Sequence, residues 1–506
     1  MKLNYRRIFM SLLLVSFLFQ LGCSQAEKKK EERRPNFIIL MSDNHSWDHL
    51  GCYGDPVIQT PNIDKLAAEG IRFTQAYCSA PSCAPARASM LTGQDIWRLD
   101  EAANLWGDFP PQFEVFTKLL EESGYLVGHE GKGWGPGDWE AGGRTENPAG
   151  TKYYSFEEFY NDREKGQPFF YWFSSRDPHR PFKADGWKKG KIDIDKLVVP
   201  PYLPDVEDVR KDIGDYYAEI ENFDRDVSSY IQLLKEMGQL DNTLILVCSD
   251  NGWQMPRGLG NLYDFGTRLP FVISMPKRFA GGRVVDDFVS LNDVAPTFLE
   301  LAGVEIPEEM NARSFANILE SDKDGQVDAT RDFVVTARER HAFARKNGTG
   351  YGARSYRTHD YLYIRNYNPE YWPAGDPPLF GDVDAHMLQY PCPTKMYILK
   401  NRDKEGVSEL FDLGFGKRPA EELYDLNKDP FQMNNVAGSE EYKAVKDELA
   451  TTLTNYLKEQ GDPRETGAPM KWLNAPYYAE KDKYPTPSEE AIRELGLKEE
   501  YSLVDE

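Results

Sequence analysis

Three short stretches carry the residue types that do chemistry. Two are the same tripeptide, Ser42-Asp43-Asn44 and Ser249-Asp250-Asn251, each directly after an apolar run (Asn36 to Met41 and Thr243 to Cys248). If those runs are strands of an open parallel sheet, ligands sit beyond their carboxyl ends. Asp43, Asn44, Asp250 and Asn251 then bring two carboxylates and two amide oxygens together, a hard-oxygen donor set that suits Ca²⁺ or Mg²⁺ and not zinc. Either tripeptide alone is more often a turn or a helix cap, and it is their coincidence that points to a metal. The third stretch is Cys83 to Gly93, CAPARASMLTG. Pro85 favours a helix start and Ala86 to Leu91 can continue it, which puts Cys83 at a helix N-terminus where free N–H groups and the dipole favour an anion. Arg87, one turn on, can fork to anionic oxygens. These are the parts needed to attack a sulfate or phosphate. By residue type alone, a buried thiol beside a structural arginine fits equally well.

Such groups need a rigid scaffold. The runs NFIILM, FFYWF (Phe169 to Phe173), TLILVC and PFVISM (Pro270 to Met275) read as strands buried on both faces. Between them lie amphipathic helices. One opens at Thr60-Pro61 as cap and first residue, with Ile63, Leu66 and Ala67 on one face and Gly70 at its end. Another carries Ile220, Phe223, Val227, Ile231 and Leu234 and stops at Gly238. Strand-helix alternation predicts an α/β fold, a large, mostly parallel sheet sandwiched by helices. After about Thr349 the runs shorten (Tyr361 to Ile364, Glu422 to Leu426) and a helix is expected over Tyr442 to Leu457, so a smaller α+β subdomain is predicted there. A chain of 506 residues with 40% hydrophobic content can fill both cores. Its net charge of −22 argues against a nucleic-acid partner.

At the N-terminus, Lys2, Arg6 and Arg7 precede an apolar run from Ile8 to Leu21, followed by Gly22-Cys23. That is the layout of a bacterial lipoprotein signal, with Cys23 as the lipid-bearing residue; an ordinary cleaved signal is the alternative. The expected organisation is a signal peptide at 1–22, a tether at 23–34, a catalytic domain at 35–348 and a C-terminal subdomain with its tail at 349–506. The expected location is the cell envelope, with membrane contact through the lipid only. Cys52, Cys78, Cys248 and Cys392 have no pairing readable from spacing.

From Pro35 to about Ala437 the chain resembles the sulfatase family of the alkaline phosphatase superfamily. The resemblance rests on C-x-P-x-R at Cys83 with its Leu-Thr-Gly, on Leu50 to Gly54 (LGCYG), Thr60 to Asp64 (TPNID), Leu291 to Pro296 (LNDVAP) and Glu422 to Pro430 (ELYDLNKDP). The stretches Tyr77 to Gly93, Gly131 to Gly133 and Ser249 to Tyr263 are most similar to the sulfamidase-like branch and its bacterial polysaccharide sulfatases. Carried over, the resemblance implies that Cys83 becomes formylglycine (3-oxoalanine), made by a maturation enzyme, and that its hydrate supplies the attacking hydroxyl. It implies Ca²⁺, with Mg²⁺ the lesser fit, bound by Asp43, Asn44, Asp250, Asn251 and the modified Cys83. Arg87 and Lys132 then hold the sulfate, His179 protonates the leaving group, and Arg257 is the nearest match to a family cation after the second metal pair. The chain departs from the pattern at Asn44, where many members have Asp, and at Trp134, where the family has a His; the base for the second half-reaction is left unassigned. His45 and His49 follow the first metal pair and could face substrate, an exposed or core histidine being the alternative for each, and His129 lies close in sequence but too near the strand start to be taken as that base. Arg338-Glu339-Arg340-His341 reads as a solvated loop or a sugar contact. The substrate implied is a sulfated carbohydrate, either an algal glycan such as ulvan or a heparan-type glycosaminoglycan, O- or N-sulfated. The alternatives are a phosphoester or phosphonate hydrolase of the same superfamily and a non-catalytic glycan-binding lipoprotein.

Overall fold

In the computed structural model, which describes residues 33–382, 392–478 and 488–497, the chain builds two sheets. The larger has eight strands in the order β4-β3-β5-β1-β6-β7-β2-β8. They are β1 (Asn36–Ser42), β2 (Ile71–Tyr77), β3 (Leu126–Gly131), β4 (Thr151–Lys152), β5 (Phe169–Ser174), β6 (Thr243–Ser249), β7 (Phe271–Ser274) and β8 (Arg283–Ser290). Only β7 runs against its neighbours, so the sheet is mixed and mostly parallel.

The apolar runs become strands because both faces of the sheet are covered. Along β1, Phe37, Ile39 and Met41 enter one hydrophobic cluster and Ile38 and Leu40 the other. The first cluster includes helix α2 (Cys83–Thr92) and helix α4 (Val294–Ala302). The second includes α3 (Glu207–Glu236), through Ile220, Phe223 and Val227. Helix α3 is 30 residues long and extends well ahead of the stripe read from Ile220 to Leu234, because Val209, Ile213 and Tyr216 continue its buried face. At α1 (Pro61–Glu69), Thr60 does not cap the helix as expected. Its hydroxyl donates to Asp64, and the free N–H groups of Asn62 and Ile63 are taken by Asp224 of α3 at 3.1 and 2.8 Å.

The smaller sheet is antiparallel, in the order β12-β11-β10-β9: β9 (Phe333–Arg338), β10 (Ala353–Thr358), β11 (Tyr361–Asn366) and β12 (Glu421–Asp425). Helix α5 (Lys443–Glu459) covers it with Leu449, Leu453 and Leu457. This sheet starts at Phe333, ahead of the boundary expected at 348/349, and the described residues from Pro35 onward cluster as one compact unit. Cys52, Cys78, Cys83, Cys248 and Cys392 are all free thiols. Cys23 and the expected signal segment lie outside the described residues.

Candidate active site

Four adjacent parallel strands, β3, β5, β1 and β6, end at the same edge of the sheet and deliver the site. The register pairs Ser42 with Ser249, so the two Ser-Asp-Asn tripeptides leave β1 and β6 side by side. Asn44 takes a left-handed backbone (φ 67°), tolerated by Asn better than by most residues. This turn lets its N–H donate to Asp250 Oδ1 at 3.2 Å. Lys132 follows β3 and its Nζ donates to Asp43 Oδ2 at 2.7 Å. The backbone of Asp43 is pinned in turn, its N–H donating to the Asp177 carbonyl at 3.0 Å.

Cys83 is the first residue of α2, and its Sγ lies 3.4 Å from Asp43 Oδ1 and 3.6 Å from both Asn44 Oδ1 and Asn251 Nδ2. Ligand atoms of Asp43, Cys83 and Asp250 all fall within 4.8 Å of one another. Arg87, fully buried, clamps this group: its Nε donates to Asp250 Oδ2 at 2.8 Å, and its Nη1 to the Gly133 carbonyl at 2.7 Å and to Ser174 Oγ at 2.5 Å. Its Nη2 lies 3.7 Å from Asp43 Oδ2 and makes no hydrogen bond among the described residues. Among these side chains Lys132 keeps measurable exposure, at 18%.

The electrostatics follow from that packing. Burial alone would push the Asp43 carboxyl up, but the charges of Lys132, His179 and Arg87 outweigh it and hold Asp43 well below the usual carboxylate range. Burial, reinforced by Asp250 and Asp43, pushes the Cys83 thiol far up, so the encoded side chain is a neutral thiol. Burial works against the charges of Arg87 and Lys132, yet the two carboxylates raise both cations.

The residues present fit a hard divalent cation. Asp43, Asn44, Asp250 and Asn251 offer four side-chain oxygens, and Asn251 Oδ1 is buried with no hydrogen-bond partner among the described residues. An orphaned buried acceptor costs about 1–3 kcal/mol unless something takes it.

The remaining expectations fall differently. His179 sits in the loop after β5, its Nε2 3.5 Å from Gln254 Nε2, and Arg180 beside it is fixed by two hydrogen bonds donated to Asp212 at 2.8 and 2.7 Å. Arg257 needs correcting, because its Nη1 and Nη2 donate to the carbonyls of Leu413 and Gln432 and its guanidinium stacks on Tyr263. It ties the loop after β6 to the C-terminal region, and among the described residues no hydrogen bond or ion pair joins it to Asp43, Cys83 or Asp250. Trp134 lies under α2, donating from Nε1 to the Ala84 carbonyl at 3.2 Å. His129 bonds the Gly150 carbonyl through Nδ1 at 3.0 Å, and His45 is held between Ser42 and the His49 carbonyl. Arg338 to His341 is no solvated loop, since all four residues are buried. Ser174, Gly133 and Gln254 were missed; their tie to Arg87 and His179 is long-range and leaves no local pattern.

This fold and site define a sulfatase. Residues 35–304 match the family described as Sulfatase, and residues 257–372 the one described as N-sulphoglucosamine sulphohydrolase, C-terminal; the chain belongs to the sulfatase family and is a sulfuric ester hydrolase. It is 28% identical to an ulvan-active sulfatase of Formosa agariphila, over 85% of this chain and 81% of that protein. It is 26% identical to N-sulphoglucosamine sulphohydrolase of Homo sapiens, over 88% and 92%. A solved structure described as a complex with its substrate D-glucosamine-2-N,6-O-disulfate shares the fold, with a TM-score of 0.61 at 22% identity over 85% of this chain and 99% of that one.

Proposed function

We propose that this sulfatase removes sulfate from a sulfated poly- or oligosaccharide, with residue 83 as formylglycine and Ca²⁺ in the donor set. The observation that carries the reading is the convergence of Cys83, Arg87 and the two Asp-Asn pairs at four neighbouring strand ends, with Asn251 Oδ1 unpartnered. The names of the relatives, which act on ulvan and on N-sulphoglucosamine, support the substrate class.

Asp43, Asn44, Asp250, Asn251 and the modified residue 83 would hold the cation, which when bound supplies charge stabilisation to the sulfate oxygens. Without it, the charges of Asp43 and Asp250 balance those of Arg87 and Lys132, so a divalent cation leaves the site net positive and matched to an anion. Arg87 holds Asp250 in place and offers Nη2 toward the substrate side of Asp43. Lys132, the partly exposed member, receives the sulfate as it enters. His179, steadied by Gln254, donates a proton to the departing sugar oxygen or nitrogen. Residue 83, once oxidised and hydrated, would supply the attacking hydroxyl. Anchoring through a lipid on Cys23 completes the reading and places the enzyme at the envelope of a glycan-degrading cell.

Mass spectrometry of the Cys83 peptide tests the chemistry: an aldehyde or its hydrate in place of the thiol is expected. A panel of sulfated oligosaccharides, run beside matched phosphate and phosphonate monoesters, tests the substrate. Preferred turnover of the phosphorus esters would overturn the reading.

A further inference from the structure

We propose that His341 is a positioning residue of this active site, one that keeps the start of α2 uncapped so that its backbone can hold the substrate's anionic group. The inference rests on the reading of Cys83 given above. Ser82 occupies the N-cap of α2 with an extended backbone (φ −160°, ψ 132°), the geometry in which a serine hydroxyl ordinarily accepts from the second or third N–H of the helix. The third position is Pro85, which has no N–H, so Ala84 carries the one donor such a cap can take. Yet Ser82 makes no capping bond. Its hydroxyl is paired with His341 Nδ1 at 2.8 Å, across 259 residues of sequence. The N–H groups of Cys83 and Ala84 meet no acceptor among the described residues. One turn on, Arg87 Nη2 is buried, lies 3.7 Å from Asp43 Oδ2 and makes no hydrogen bond among the described residues, an independent sign that it has donor capacity left for an anion.

His341 is built to stay where it is. Its ring lies against Gly260, where an added Cβ would come within 3.3 Å of Cδ2, and Gly260 N–H is bonded to the Pro81 carbonyl at 2.9 Å. Its neighbours are locked as well. Arg338 bonds Asp382 at 2.5 Å, and Glu339 pairs with Arg354 at 2.8 Å and Arg464 at 2.5 Å. The small sheet thus reaches the residue before the nucleophile through one side-chain bond. Without His341, the Ser82 hydroxyl is free to turn onto Ala84 N–H and compete with the anion. A serine cap shifts such an equilibrium about fivefold.

The test is a double-mutant cycle on metal-loaded protein of known formylglycine content, with inorganic sulfate as the probe. Sulfate binding is read by calorimetry and as competitive inhibition of 4-nitrophenyl sulfate hydrolysis. His341→Ala is expected to weaken sulfate about fivefold and to raise KM more than it lowers kcat. His341→Gln, which keeps a hydrogen-bonding group toward Ser82, and Ser82→Ala should both stay within twofold of wild type. Ser82→Ala/His341→Ala should return to the Ser82→Ala value, since no hydroxyl remains to cap. A double variant as weak as His341→Ala, or unchanged sulfate binding in His341→Ala, would overturn the proposal. Sulfate binding that follows the cycle in a protein turning over no sulfate ester would overturn the proposed function and leave the role of His341 intact.

Discussion

Replacing Arg87 by Met, a side chain of similar length without charge, isolates what the guanidinium does for the site. In the folded chain it is fully buried and touches Asp250, Gly133 and Ser174, with Asp43 at 3.7 Å. Arg87→Met therefore leaves one buried carboxylate without its ion partner and two acceptors without a donor. Removing one member of a buried ion pair costs about 3–5 kcal/mol, and the orphaned acceptors overlap with that figure rather than add to it. A domain's whole stability is about 5–15 kcal/mol, so the loss is large but survivable. Calcium sharpens the expectation. A ligand at a hundred times its dissociation constant stabilises the native state by about 2.7 kcal/mol. In the variant the cation faces one positive neighbour fewer, so its binding and its stabilisation should both rise, the latter by about 1 kcal/mol or more. Urea unfolding followed by tryptophan fluorescence, with chelator and with saturating Ca²⁺, reads all four values. A deficit under about 1 kcal/mol in chelator, or calcium that stabilises wild type more than the variant, would refute the account of Arg87 as the counter-charge of a cation-binding carboxylate pair.

Arg257→Ala is expected to cost about 2–4 kcal/mol of stability through the lost bonds to Leu413 and Gln432, with KM for a small sulfate ester within twofold of wild type; a tenfold rise in KM would return Arg257 to the active site. Trp134→His restores the family residue but removes the indole packed beneath α2, so a lower melting temperature and no gain in turnover are expected, measured by calorimetry and initial rates. Asp95, buried between Asn292 and Asn311, has its carboxyl pushed up to about 6 by burial. A folded value above the ordinary 3.9 means a contribution fully present below about pH 4 and lost as pH rises through about 6, worth about 3 kcal/mol for two units. Asp95→Asn, which stays neutral, should gain on wild type between pH 4 and pH 7 and match it at pH 4; parallel stability curves across that range would contradict this.

The parts of the molecule legible in the sequence are those whose signal is local. The four apolar runs became β1, β5, β6 and β7 because each is short, β-branched or aromatic, and ends in polar residues. The Ser-Asp-Asn ends and the Cys83 helix start were readable for the same reason. What the chain hid is set by distant partners. Thr60 looks like a cap, but Asp224 in α3 takes over that function. Arg338 to His341 has the composition of a surface loop, yet each charge finds a partner far along the chain: Asp382, Arg354 with Arg464, the carbonyls of Ala475 and Pro476, and Ser82. Arg257 is near Asn251 in sequence, but its guanidinium turns to the carbonyls of Leu413 and Gln432. Helix α2 turns its first residue toward the Asp-Asn pairs at the ends of two strands, one before it and one long after it, and no window of sequence contains both.

That last arrangement imposes a schedule. Cys83 is 4% exposed once folded, and the strand that completes its surroundings, β6, leads into Asn251, 168 residues further along. On the proposed reading, an enzyme that oxidises Cys83 must reach it while β6 is still absent. At a synthesis rate of about 5–20 residues per second, that interval is roughly 8–34 seconds. The same closure that holds residue 83 among its charged neighbours sets a deadline for making it reactive. A chain that folds early is sealed with a thiol inside, correctly shaped and inactive.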